Sequence, residues 1–165
     1  MHRPLSRFAL LCALVLALAA PVLAVPPLEA PRSNLVATVR SAGFLSTLLQ
    51  AGEAAGLLAT LEGSGPFTVF APRDAAFEAL PEGALQALLA DPERLRAVLE
   101  RHVVAERAGS DLLVDRASVR TVQGAEFALS TTEEGSLRVG EARVIQPDIR
   151  ASNGVVHVID RVLLP

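Results

Sequence analysis

The chain of 165 residues has no tryptophan, no tyrosine and no lysine, a single cysteine, and only six phenylalanines to supply its aromatic content. Without Trp or Tyr, large aromatic recognition surfaces are not available to it. Without Lys, all fifteen basic residues are Arg, and they are outnumbered by 18 Asp and Glu. That acidic balance works against neutralising a phosphate backbone, so nucleic acid is not an expected partner. Cys12, being alone, cannot close a disulfide within the chain.

Long apolar runs are scarce too, and the exception lies at the N-terminus. Hydrophobic residues make up 51% of the chain and mean hydropathy is +0.41, values that suggest a membrane protein. Residues 1–24 hold 18 of these hydrophobic residues, and the remainder has an ordinary globular fraction of about 47%. Arg3 and Arg7 lead into an apolar run over residues 8–20, and Val22-Leu23-Ala24 fits a small-x-small cleavage site. This is the pattern of a secretory signal peptide, expected over residues 1–24 with cleavage after Ala24. The run is shorter than the roughly 20 residues that a membrane span needs, and Pro21 ends it. Cys12 follows Leu11 inside the run, which is not a lipobox position. Cleavage discards the only cysteine, so the mature chain is expected outside the cytoplasm, secreted or periplasmic, without a thiol and without a stable membrane anchor. It also leaves 13 Arg against 18 acidic residues, a net charge near −5.

Residues 25–32 carry Pro26, Pro27 and Pro31 and read as an extended lead-in to one domain over residues 33–165. From Ser33 as cap, Leu35, Val39, Ala42, Leu45 and Leu49 recur at spacings of three and four, the stripe of an amphipathic helix weakened at Gly43. Residues 53–61 give a further short helix, stopped by Gly63-Ser64-Gly65-Pro66. Residues 67–70 read as a buried strand, followed by helical pieces over 74–80 and 81–90 and a helix opened by Asp91-Pro92. On that last helix Leu95, Val98, Leu99 and His102 share a face. After Val103 the pattern turns to strands, over 119–122, 126–130, 137–139, 142–149 and 154–163, separated by Gly and polar turns. Helices first and strands afterwards point to an α+β fold.

Catalytic constellations are missing from this pattern. Ser64 stands in Gly-Ser-Gly and not in a Gly-x-Ser-x-Gly elbow. His102 and His157 are 55 positions apart with no metal-ligand spacing, and Glu133-Glu134 reads as a solvated hairpin tip. No cofactor and no metal are expected. In the last strand, alternation sets Val155, His157 and Ile159 on one face and Val156, Val158 and Asp160 on the other. An unpaired buried polar group costs on the order of 1–3 kcal/mol, so His157 and Asp160 are expected to pin neighbouring backbone.

Two segments carry a family likeness. Thr68-Val69-Phe70-Ala71-Pro72-Arg73-Asp74-Ala75-Ala76-Phe77 resembles the first signature of fasciclin (FAS1) domains, and Asn153-Gly154-Val155-Val156-His157-Val158-Ile159-Asp160, with the residues on to Pro165, resembles the second. Residues 88–104 are similar to the helix and strand between them, and the likeness spans about residues 33–165. It implies the FAS1 fold: two antiparallel β-sheets forming a wedge, with α-helices packed along one side. It marks Phe70, Pro72, Asp74, Phe77, His102, Asn153, Gly154, His157 and Asp160 as structural motif residues. Phe70 and Phe77 flank a strand-to-helix turn in which Pro72 presets φ and Asp74 is expected to cap the helix. Asp74 is further expected to accept a hydrogen bond from His102.

The resemblance also implies a non-enzymatic role in cell adhesion or extracellular-matrix interaction, with a protein or matrix component at a cell surface as partner. In animal relatives a Tyr-His pair and an Asp-Ile pair are linked to integrin binding. Here they correspond to Arg101-His102, which lacks the Tyr, and to Asp148-Ile149. The Arg-only usage, the short signal and the lone domain resemble a secreted bacterial member. A single module has no multivalent gain, so adhesion calls for weak self-association or a high local concentration. Some FAS1 relatives bind carotenoids, and the alternative expectation is a carrier of such an apolar small ligand in a groove of the wedge, lined by residues such as Leu112, Leu113, Val114 and Ile149.

Overall fold

The computed structural model describes residues 32–165; the expected signal sequence and nearly all of the lead-in lie outside the described residues. Helix α1 (Leu35–Ser41) begins where the Asn34 side chain accepts a hydrogen bond from the Ala37 amide at 2.8 Å, so Asn34 and not Ser33 is the cap. The expected single stripe is divided into α1 and α2 (Ser46–Ala54), because Gly43 takes φ 72°, a conformation that stops a helix and that glycine adopts most readily. Helix α3 (Leu58–Leu61) closes this first helical block. Strand β1 (Phe67–Pro72) leads into α4 (Asp74–Glu78), whose N-cap is Arg73 without a side-chain bond. Asp74 instead caps α2 from a distance, its Oδ1 accepting from the Thr47 amide at 2.8 Å. Helix α5 (Ala84–Ala90) precedes α6 (Pro92–Glu100), which opens as its sequence predicts, with Asp91 accepting from the Arg94 amide and Pro92 at the first position.

The remaining elements are β2 (Val103–Val104), α7 (Ser110–Val114), β3 (Ser118–Arg120), β4 (Glu126–Thr131), β5 (Leu137–Val139), β6 (Ala142–Ala151) and β7 (Gly154–Ile159). The strands are hydrogen-bonded in the order β2-β1-β7-β6-β5-β4-β3. Every neighbouring pair is antiparallel except β1 and β7, which run parallel and join the first strand of the described residues to the last. Strand β6 is the crease of the wedge. Its first residues pair with β5 and its later ones with β7, and two register shifts, between Val144 and Gln146 and between Gln146 and Ile149, bend it. The bend brings the two ends of the sheet together, so that the Val122 amide just past β3 donates to the Val103 carbonyl of β2 at 2.8 Å.

Alternation along β1 and β7 then divides the core between two faces. Phe70 and Ile159 turn into the curled sheet, where they meet Val104, Leu113, Val119, Leu129, Leu137, Val139 and Val144. Val69, Ala71, Val156 and Val158 face outward, onto Leu35, Val39 and Leu45. A third cluster, containing Ala51, Leu57, Leu88, Leu95, Val98 and Leu99, holds α2, α5 and α6 together. Each fully buried Leu, Ile, Val or Phe contributes roughly 1.5–3 kcal/mol, so the helical layer and the curled sheet each have an apolar reason to exist. The result is an α+β fold with α1 and the helices around it packed on one face of the sheet and the short α7 packed into the curl on the other.

Candidate functional site

The two described histidines are wired in opposite senses. The Leu163 amide donates to Nε2 of His102 at 2.9 Å, so the ring proton sits on Nδ1 and is donated to the Val98 carbonyl at 2.8 Å. The Asp148 amide donates to Nδ1 of His157 at 3.1 Å, so here Nε2 carries the proton and donates it to the Ala108 carbonyl at 2.8 Å. The His157 ring also stacks on Phe70, centroid to centroid 5.6 Å. Burial disfavours the charged ring in both cases and lowers both pKa values, that of His102 to about 4. With both nitrogens of each ring engaged by backbone groups, neither imidazole is a free base or a free metal ligand. The expected bond from His102 to Asp74 does not form. The carboxylate is taken by the Thr47 amide, and the ring is saturated by its own helix and by the C-terminal segment.

Asn153 and Gly154 turn β6 into β7. The Asn153 side chain accepts from the Leu35 amide at 2.8 Å and donates to the Leu61 and Gly63 carbonyls, each at 2.7 Å, tying the first helical block to the sheet. A Cβ on Gly154 would stand 2.9 Å from the Phe67 carbonyl carbon and closer still to its oxygen, so glycine lets β7 lie against the start of β1. Asp160 pins β6 beyond the other end of β7, accepting from the Arg143 amide at 2.8 Å. Thr68, buried in β1, escaped the sequence reading. Its hydroxyl donates to the Glu106 carbonyl at 2.6 Å and accepts from the Ala108 amide at 2.8 Å. A single polar residue among Phe67, Val69 and Phe70 was the available signal.

Asp148 lies at the crease. Gln146 pairs with Val158 and Ile149 with Val156, leaving Pro147 and Asp148 together opposite His157, two residues against one. Asp148 takes φ 57°, the left-handed region, and among the described residues it is the only one other than glycine to do so. Its Oδ1 accepts from the Ser110 amide at 2.8 Å and its Oδ2 from the Ser110 hydroxyl, a bond from α7 that the sequence did not signal. Partial burial would by itself raise this carboxyl, yet the two Ser110 bonds, with the nearby His157 and Arg150, hold it below the usual carboxylate range. Leu112 and Val114 of α7 and Ile145 of β6 are exposed, whereas Ile149 is half-buried against the helix-facing core.

Arg101 is engaged elsewhere. Its guanidinium carbon stands 5.3 Å from the centroid of Phe127 on β4, a cation–π contact, while its buried Nε has no hydrogen-bond partner. Arg101 and Asp148 share no hydrogen bond or ion pair among the described residues, so the fold does not bring these two parts of the sequence-predicted interaction set into contact. Nor do the four residues expected to line an apolar groove share one surface among the described residues. Leu113 points into the curled sheet, Ile149 packs on its opposite face, and Leu112 and Val114 meet solvent. An apolar cavity of about 40 Å³ lies instead among Leu35, Val39, Leu49, Leu61, Val69 and Val103, and a shallow depression of about 210 Å³ lies beside Leu88, Arg94 and Leu164. Both are smaller than the roughly 300–1,000 Å³ typical of small-molecule sites. No group of three His, Cys, Asp or Glu side chains is placed to hold a metal among the described residues, and no described helix is long and apolar enough to cross a membrane.

The model of the Fasciclin domain family matches residues 43–165. The uncharacterized protein sll1735 of Synechocystis is 42% identical over 131 residues, which cover 79% of this chain and 97% of that protein. The transforming growth factor-beta-induced protein ig-h3 of Sus scrofa is 32% identical over 133 residues, 81% of this chain and 20% of the relative. Among solved structures, a FAS1 domain pair from the insect cell adhesion molecule Fasciclin I matches with a TM-score of 0.71 at 22% identity, over 82% of this chain and 52% of that one, a likeness of fold.

Proposed function

Because the chain belongs to the fasciclin domain family, we propose that it is an exported contact module, secreted or periplasmic, which mediates adhesion or binds a cell-surface or matrix component and has no enzymatic role. The observation that carries this reading is the crease of β6, where Ser110 at the start of α7 fixes the Asp148 carboxylate at the surface, with Leu112 and Val114 exposed on the same short helix and Ile145 exposed on the same strand. Exposed apolar side chains supply contact area, and a charge already held in place supplies register. Kinship supports the same reading, since the structural neighbour comes from an insect cell adhesion molecule. One such patch binds weakly, so attachment gains strength from many copies on one surface.

Beads coated with the protein test the proposal on the surface of the producing cells. Wild-type beads should be retained well above bare beads, and Asp148→Asn or Leu112→Ser should lower retention by about tenfold, the loss of roughly 1.4 kcal/mol of contact energy. Retention no better than that of bare beads would overturn the adhesion reading. Full retention by both variants would remove the contact face from the crease.

A further inference from the structure

The segment at Pro147 and Asp148 is held in an unusual way. No ladder pair lies between Gln146–Val158 and Ile149–Val156, and Pro147 has no amide hydrogen to give. Side chains secure the segment instead: the Asp148 amide donates to Nδ1 of His157, and the Asp148 carboxylate accepts from the amide and hydroxyl of Ser110. The backbone at Asp148, with φ 57°, is one that an L residue keeps only while something holds it there.

The Nδ1 lone pair of His157 is therefore a structural acceptor, and a proton added to it would set N–H against N–H. The groups that face the ring are few. From β1 it meets Phe70, which is uncharged, and from the loop before α7 it meets the Ala108 carbonyl, which can accept from the ring in either protonation state. From β6 it faces the Asp148 carboxylate, the charge that favours the imidazolium, and Arg150 lies near that carboxylate. Glu106 and Arg107, on the same loop as Ala108, are engaged with Arg116 and with the Ser152 carbonyl. Burial opposes charge on the ring, so protonation belongs to pH values below the ordinary imidazole range. When it occurs, the nearest counter-ion is the carboxylate that Ser110 now holds.

We propose that His157, Asp148 and Ser110 form a proton-operated latch, which keeps residues 147–149 closed at neutral pH and releases them when Nδ1 of His157 takes up a proton. The Asp148 carboxylate then turns from Ser110 toward the imidazolium, and the crease changes the surface it offers. The functional meaning of the latch rests on the crease being the contact face; the latch itself does not.

Nuclear magnetic resonance of the isotope-labelled full-length protein between pH 7.5 and 4.5 tests this directly. The His157 ring nitrogens report protonation, and amide exchange at Asp148 and Ser110 reports closure. As His157 titrates, those two amides should lose about tenfold or more of their protection beyond the loss that Val69 and Val156 share as acid weakens the whole fold. Protection at Asp148 and Ser110 that survives the His157 titration, or that falls no further than that of Val69 and Val156, would overturn the latch. His157→Gln, whose amide can accept from Asp148 and donate to Ala108, should abolish the acid release. Should that variant not fold, Ser110→Ala should raise exchange at the Asp148 amide already at neutral pH, and an unchanged rate counts against the proposal. Bead retention measured at both ends of the pH range separates the two readings. If the latch opens but retention ignores both pH and Asp148→Asn, the contact face falls and the latch stands.

Discussion

The turn at Asn153-Gly154 and the crease at Pro147-Asp148 lie on the same strand pair, a few residues apart, and are secured by opposite means. At the turn, backbone approaches backbone so closely that no Cβ fits on Gly154, and the Asn153 amide joins the Leu35, Leu61 and Gly63 backbone in the interior. At the crease the ladder is interrupted, the backbone is in the left-handed region without a glycine, and one buried ring and one exposed hydroxyl hold it. Backbone packing fixes a geometry that little short of unfolding can undo. Side-chain bonds fix one that a proton can release, and a surface that must respond to conditions is better built in the second way.

That contrast can be broken at either place. Gly154→Ala should cost about 3 kcal/mol, since neither Phe67 nor β7 can retreat without parting the parallel pair. Urea unfolding followed by far-ultraviolet circular dichroism measures it, there being no Trp or Tyr to report by fluorescence. A loss below about 1 kcal/mol would mean that β1 and β7 can separate there, and the turn would be no more rigid than the crease.

Acid sharpens the contrast. His102 is neutral in the fold with its pKa at about 4, against 6.5 when exposed in the unfolded chain. Its contribution is therefore complete above pH 6.5 and is lost as pH falls toward 4, when the unfolded state binds the proton that the fold refuses. About 3 kcal/mol of stability should disappear across that window. A flat stability profile would contradict a ring kept neutral by burial.

The smallest effect is expected from Asp148→Gly. Glycine relieves the left-handed backbone while the carboxylate bonds to Ser110 are lost, and the two changes nearly cancel, to within about 1 kcal/mol. The same urea titration checks it. A loss as large as that of Gly154→Ala would make the crease as much a structural keystone as the turn.

Much of this arrangement was legible in the chain because its causes are local. Asp91-Pro92 starts a helix by its own chemistry, the alternation around His157 places polar side chains on an apolar strand, and both His157 and Asp160 meet backbone. What was hidden depends on distant partners. Asp74 reads as the cap of the helix that follows it, yet its carboxylate serves Thr47 on another helix, because in space the start of α2 is nearer than sequence implies. The parallel pairing of β1 with β7 follows from no local pattern, and residues 142–149 read as an unbroken strand although β7 shifts register against them twice. Of the candidate interaction residues, Asp148 could be picked out by its motif likeness, but its clasp by Ser110 could not. That bond depends on where the loop before α7 comes to rest, and buried Thr68 anchors that loop.

The single hydrogen bond from Val122 to Val103 has a consequence for crowding. An open sheet edge is a template on which another chain can add strands and aggregate. Here the terminal strands are two and three residues long, and the curl draws their ends together. Molecules packed side by side at high density thus have almost no free ladder to extend. Strand addition, the step that recruits backbone into fibres, is thereby disfavoured at that edge.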